Sequence, residues 1–79
     1  MSRYIATFHT HLSALRTAQA LKNAGLRPIS GPVPRELSSS CGVCVRFEAE
    51  RDCRELLDTD FETLREQTPD GYRLLCENE

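Results

Sequence analysis

The residues of this 79-residue chain with the most evident chemistry are its four cysteines. Cys41 and Cys44 form the motif Cys41-Gly42-Val43-Cys44, whose spacing lets two sulfurs meet across a tight turn. Such a pair suits a disulfide that opens and closes, or half of a tetrahedral zinc site. Cys41 follows a polar loop and precedes glycine, so we expect an exposed thiol with a backbone that a reactant can approach. Cys53 and Cys76 fall in apolar patterns, which indicates small buried hydrophobic residues.

A sulfur nucleophile reacts as the thiolate, so cations or hydrogen-bond donors must favour its charged form. Arg35 and Arg46 are the cations nearest to the motif in sequence. The serines directly before Cys41 offer hydroxyl and amide donors in a turn that would hold a thiolate or persulfide anion. These serines are Ser38, Ser39 and Ser40.

Two histidines, His9 and His11, follow the first predicted strand. An imidazole at that point could transfer protons for Cys41 or complete a zinc site with the cysteine pair. No second CxxC and no HxxxH accompanies them. The spacing therefore leaves a carrier thiol, a dithiol redox pair, a zinc site and a plain structural role open.

Composition narrows the class of partner. Ten Lys and Arg against 12 Asp and Glu give a net charge of −2, which does not favour nucleic acid or an anionic membrane. No apolar run approaches the length of a membrane span, and the first residues lack the pattern of a secretion signal. We expect a soluble cytoplasmic protein with reduced thiols, and a single domain over residues 1–79.

The elements that must position the thiol can be read from periodicity. Residues 4–8 predict a strand with Tyr4, Ala6 and Phe8 on one face. Residues 13–24 predict a helix whose apolar stripe is Ala14, Leu15, Ala18 and Leu21, with Thr10 or Ser13 as its cap and Gly25 after its end. Residues 28–33 predict an edge strand, because Pro28 and Pro32 cannot donate to a ladder. Residues 43–47 predict a more central strand.

The second half of the chain again shows helical spacing. Cys53, Leu57, Phe61 and Leu64 recur at intervals that predict one bent helix or two short helices. A Pro69-Asp70-Gly71 turn and a last strand over residues 72–76 follow. The resulting order, β-α-β-β-α-β, predicts a ferredoxin-like α+β sandwich, with an antiparallel sheet and two helices on one face.

Two segments, Tyr4 to His9 and Pro32 to Gly42, give the chain a family resemblance. The second holds the most specific part, Pro34-Arg35 followed by Ser39-Ser40-Cys41-Gly42. The chain resembles a family of small bacterial selenium/sulfur carrier-like proteins over nearly its whole length. The resemblance implies that Cys41 receives sulfur or selenium as a persulfide or selenopersulfide and passes it on.

The leading hypothesis is therefore a carrier protein and not a stand-alone enzyme. A donor such as a cysteine desulfurase would load Cys41, and an acceptor enzyme would unload it; no organic cofactor or metal is needed. In this hypothesis Arg35 stabilises the bound anion, the three serines position it, and His9 assists. The alternatives are a dithiol redox module, in which Cys44 resolves a disulfide, and a zinc-binding interaction domain. The sequence leaves open whether the edge strand near Pro28 pairs two chains into a homodimer.

Overall fold

The computed structural model describes residues 1–37 and 42–78. Its elements, in chain order, are β1 (Ser2–Phe8), α1 (His11–Asn23), β2 (Ile29–Pro32), β3 (Val43–Ala49), a single 3₁₀ turn (Arg54–Leu56), β4 (Phe61–Thr68) and β5 (Gly71–Glu77). The strands form one sheet in the order β2-β3-β1-β4-β5, and every neighbouring pair is antiparallel. Helix α1 packs against β1, β2 and β3.

The core lies between α1 and one face of the sheet. Alternation along β1 and β3 directs every second side chain to the helix, as predicted for Tyr4, Ala6 and Phe8. The rings of Tyr4 and Phe47 stack with their centroids 5.4 Å apart. The buried residues of this core are Tyr4, Ala6, Phe8, Ala14, Leu21, Val45, Phe47, Ala49, Cys53, Leu57 and Leu64.

Helix α1 begins at His11, two residues before the predicted start. Thr10 is its N-cap, because the Thr10 hydroxyl accepts a hydrogen bond from the Ser13 amide at 3.2 Å. At its other end Gly25 adopts φ +91°, and the Leu26 amide donates to the Leu21 carbonyl at 3.0 Å. These bonds form the Schellman ending that Gly25 predicts.

The apolar stripe of α1 differs from the predicted one at one position. Leu15 is 67% exposed, whereas Thr17 is fully buried. The Thr17 hydroxyl accepts a hydrogen bond from the Asp58 amide at 2.8 Å, which ties the segment before β4 to the helix. A buried hydroxyl with a partner can replace an apolar side chain on the packed face.

The two strands after α1 are placed as predicted. β2 forms one edge of the sheet, where the missing donors of Pro28 and Pro32 cost least, and β3 lies between β2 and β1. The Pro69-Asp70 turn joins β4 and β5, with Thr68 paired to Gly71.

The ferredoxin-like prediction is wrong. The sheet has five strands and the described residues contain one α-helix, because most of the segment predicted as a second helix is the 3₁₀ turn and β4. The 3₁₀ turn still packs near α1, and Cys53 and Leu57 join the same core. Cys53 is the one described residue other than glycine with positive φ, at +53°.

A β-bulge explains why the sequence of β4 has apolar residues at helical spacing. The register between β1 and β4 shifts after Thr7, so that Thr7 faces Thr63 and Phe8 faces Phe61, with Glu62 as the additional residue. A strand normally alternates with period two, but the bulge lets Phe61 and Leu64, three residues apart, contact the same core. A second shift lies opposite Leu64 and Arg65 in β5.

Candidate functional site

One end of the sheet holds the described residues that are close to Cys41 in sequence, and we call it the thiol end. It is formed by the end of β1 and the start of β3, where Thr7 lies opposite Cys44. His9 directly follows the end of β1, and Gly42, the residue next to Cys41 in the chain, directly precedes β3, so both lie at this end of the sheet. Cys41 and the predicted anion-binding serines, Ser38, Ser39 and Ser40, lie outside the described residues, so their roles remain predictions.

Gly42 helps to define the base of the loop between β2 and β3. The Val33 amide donates to the Gly42 carbonyl at 3.2 Å, which extends the β2–β3 ladder by one bond beyond the strands. Gly42 has φ +74° and is exposed, and a side chain added there would meet no atom within 4 Å. The positive φ, rather than lack of space, is therefore what favours glycine next to Cys41.

His9 lies at the thiol end beside a carboxylate. Its Nδ1 atom is 3.8 Å from Oε2 of Glu62, and the His9 side chain is 43% exposed. The His9 amide donates to the Asp60 carbonyl at 3.4 Å. The bulge at Glu62 and the end of β1 thus place an imidazole and a carboxylate together. This pair can orient the imidazole and hold or move a proton at Nδ1.

Two other predicted residues are exposed in this half of the molecule. Arg35 lies in a turn closed by a 3.0 Å bond from the Leu37 amide to the Pro34 carbonyl, and within residues 1–37 and 42–78 it forms no ion pair. His11 is the first residue of α1. The described contacts do not bring Arg35 to His9.

Cys44 is fully buried, on the face of the sheet away from α1. Its Sγ atom is 3.5 Å from the Pro32 carbonyl oxygen, to which it donates a weak hydrogen bond. A thiol in this environment needs local opening before it can meet solvent or a second protein. Its predicted role as a resolving thiol remains a prediction.

Cys53 belongs to the core, as expected, whereas Cys76, also expected to be buried, packs only at the margin of the core. Cys53 is buried, and burial raises the pKa of its thiol, which keeps it protonated and unreactive. Cys76 is half-buried against the same core. Both are free thiols.

Sequence reasoning missed the acidic residues of the β4 segment. Asp60 accepts a hydrogen bond from the Ser13 hydroxyl at 2.9 Å, so its charge lies at the start of α1, where the helix dipole favours an anion. The position of Glu62 beside His9 depends on the pairing of two strands distant in sequence, for which no local signal exists.

The described part of the chain lacks two further features, a metal-binding cluster and a membrane-spanning helix. Residues 1–37 and 42–78 contain no cluster of three or more His, Cys, Asp or Glu that could hold a metal ion. They also contain no helix with the length and apolarity to cross a bilayer.

Comparison with known proteins identifies the family. The family model described as "Putative Se/S carrier protein-like" matches residues 3–61, which is most of the chain. The match covers β1 from its second residue, α1, β2, β3 and the segment of sequence that includes Cys41, and it ends at the first residue of β4. No curated protein and no solved structure matches the chain significantly. The chain therefore belongs to the Se/S carrier protein-like family, as the resemblance in its sequence indicated.

Proposed function

We propose that the protein carries one sulfur or selenium atom on Cys41 and delivers it to an acceptor protein in the cytoplasm. Membership of the Se/S carrier-like family is the observation that carries this proposal. The loop base supports it, because the Val33–Gly42 bond anchors the chain directly beside Cys41. The register of β1 and β3 adds His9 at the same end of the sheet.

Loading by a donor persulfide requires no net oxidation. The Cys41 thiolate attacks the outer sulfur of a persulfide on a cysteine desulfurase; the new S–S bond forms as the donor S–S bond breaks, and the donor thiolate leaves. An acceptor thiolate then attacks the same outer sulfur and releases Cys41 as thiolate. Arg35, Ser38, Ser39 and Ser40 would stabilise the persulfide anion between these two steps.

Selenium would follow an equivalent route. The Cys41 thiolate displaces one glutathione from selenodiglutathione, and a second glutathione thiol removes the other glutathione as its disulfide. The product is a selenopersulfide on Cys41. The same residues would hold either anion.

Intact-mass spectrometry tests the proposal. The reduced protein, incubated with a cysteine desulfurase and cysteine, or with selenite and glutathione, should gain the mass of one sulfur or selenium atom. Cys41→Ser should abolish the gain, whereas Cys76→Ser, a matched control on a half-buried thiol, should retain it. Loading that survives Cys41→Ser would contradict the proposal.

Cys44→Ser separates simple carriage from dithiol chemistry. Because Cys44 is fully buried, we expect this variant to load and unload to the same extent as the unaltered protein. In a dithiol module, Cys44 would attack the inner sulfur of the Cys41 persulfide, releasing hydrosulfide and leaving a disulfide that a second dithiol must reduce. Loss of turnover in Cys44→Ser would favour that module.

A further inference from the structure

The sheet face away from α1 carries a continuous row of side chains that we call the arginine row. It consists of Ile29, Arg46, Ile5, Arg65 and Leu74, each paired laterally with the next across all five strands. No helix within residues 1–37 and 42–78 covers this face, since α1 packs on the other side. Ile5 is nonetheless 1% exposed, as expected when the stems of two flanking arginines cover it.

Neither arginine of the row forms an ion pair with a carboxylate in the described part of the chain. Arg3, Arg51, Arg54 and Arg73 each form an ion pair with a carboxylate, but Arg46 and Arg65 form none within residues 1–37 and 42–78. The Nε atom of Arg65 is buried and has no hydrogen-bond partner among these residues. A buried donor without an acceptor is costly, and a carboxylate that pairs with the guanidinium group of Arg65 would lower that cost.

Both ends of the row are apolar and open to solvent. Ile29 is 64% exposed and Leu74 is 48% exposed. Arginines between exposed aliphatic side chains match the composition of protein–protein interfaces, in which arginine is enriched. A free small anion would leave Ile29 and Leu74 uncovered.

The positive charge of the row decides which kind of partner can bind it. A second copy placed face to face would bring Arg46 and Arg65 close to the same two cations. A nucleic acid would be repelled by the rest of the molecule, because the whole chain carries a net charge of −2 even with Arg46 and Arg65 included. A carboxylate-bearing protein surface with aliphatic side chains satisfies the guanidinium groups and also covers the apolar ends.

We infer that the arginine row is the docking surface for an acidic segment of the donor protein that loads Cys41, an inference that rests on the proposed function. Cys41 is five residues from Arg46 along the chain, so no more than about 18 Å separates their backbones. A partner seated on the row therefore has the thiol end within its reach. The row is about 19 Å long across five strands and one residue wide on each strand, so its area is smaller than that of a standard interface. A small interface suits a partner that must leave after transfer.

Binding of an acidic peptide tests this inference directly. The isotope-labelled full-length protein is titrated with a synthetic peptide of alternating glutamate and leucine, and amide shifts are followed by NMR. We expect shifts centred on Ile5, Arg46 and Arg65, and affinity that falls as salt increases. Shifts centred on α1, or no binding at millimolar peptide, would overturn the inference.

Charge reversal supplies the matched variants. Arg46→Glu/Arg65→Glu should weaken peptide binding about tenfold or more, whereas Arg16→Glu/Lys22→Glu on the exposed surface of α1 should leave it unchanged. Arg46→Gln/Arg65→Gln, which removes the two positive charges without adding negative ones, should lie between them and guards against misfolding caused by the new carboxylates. Equal weakening by both reversals, or self-association of the unaltered protein through this face in sedimentation experiments, would overturn the inference.

A small-molecule donor separates this inference from the proposed function. Sodium polysulfide should load Cys41 in the charge-reversed variant as fast as in the unaltered protein, because it needs no docking surface. Loading from the persulfidated desulfurase should be about tenfold slower in that variant. Unchanged loading from both donors overturns the docking role alone, whereas a Cys41 that accepts sulfur from neither overturns the proposed function.

Discussion

Thr7 and Thr63 show how single residues complete the sheet beneath the thiol end. Both are buried, and their hydroxyl oxygens are 2.6 Å apart across β1 and β4. No sequence pattern predicts this hydrogen bond, because each threonine gains its partner only through strand pairing. Removing one hydroxyl of a buried pair costs more stability than removing both, because the remaining hydroxyl has no partner.

We therefore predict non-additive substitutions at this pair. Thr7→Val should lower the free energy of unfolding by about 1–2 kcal/mol, since it leaves the Thr63 hydroxyl unsatisfied. The double variant Thr7→Val/Thr63→Val should recover most of the loss. Chemical denaturation of the two single variants and the double variant measures the coupling, and strictly additive losses would contradict the prediction.

The Asp52 carboxylate predicts how the stability of the protein depends on pH. Arg54 donates to the Asp52 carboxylate through Nε at 2.9 Å, and this hydrogen bond lowers the pKa of Asp52. Because its folded pKa lies below the unfolded value of about 3.9, the interaction stabilises the protein above that pH and is lost as pH falls through the folded pKa. Asp52→Asn should lower stability at pH 7 by about 1 kcal/mol or less.

The difference between Asp52→Asn and the unaltered protein should shrink as the pH falls below about 4, as followed by denaturant unfolding at several pH values. Asp70→Asn, in the exposed hairpin turn, serves as the control. A difference that is constant with pH would show that the charge of Asp52 does not contribute.

Among the elements, α1 shows where periodicity is informative and where it fails. Its cap, its ending and the burial of Ala14 and Leu21 were predictable from local spacing. The exposure of Leu15 was not, because the loop from Cys53 to Asp60 decides which flank of the helix is covered.

Two leucines of α1 test this description of its packing. Leu21→Ala should lower the free energy of unfolding by about 2–5 kcal/mol, because it leaves a cavity between α1 and the sheet. Leu15→Ala should change it by less than about 0.5 kcal/mol, since Leu15 is exposed. Denaturant titrations compare the two variants, and similar losses would mean that both leucines pack in the core.

For the molecule as a whole, the structure extends beyond the family match. The match ends at Phe61, yet β4 pairs with β1 along nearly its whole length, and β5 covers β4. Without this hairpin β1 would become an edge strand with exposed backbone groups.

Truncation should reveal this dependence. A chain of residues 1–61 should lose the cooperative thermal transition of the full protein and aggregate, because Ala6 and Phe8 would lose Leu64 from their core. Circular dichroism melting and size-exclusion chromatography measure the two effects. A monomeric truncated chain with a sharp transition would show instead that the matched segment folds alone.

Local sequence patterns were enough to predict the first strand, the helix with its cap and glycine ending, the edge and central strands that follow, and the family. These features depend on local periodicity, on proline and glycine, and on a short motif. Only the tertiary structure decided that Phe61 to Thr68 is a strand, that Cys44 is buried, and that Glu62 lies beside His9. These three features depend on the pairing of strands that are distant in the sequence. In addition, a β-bulge can give a strand the apolar spacing of a helix.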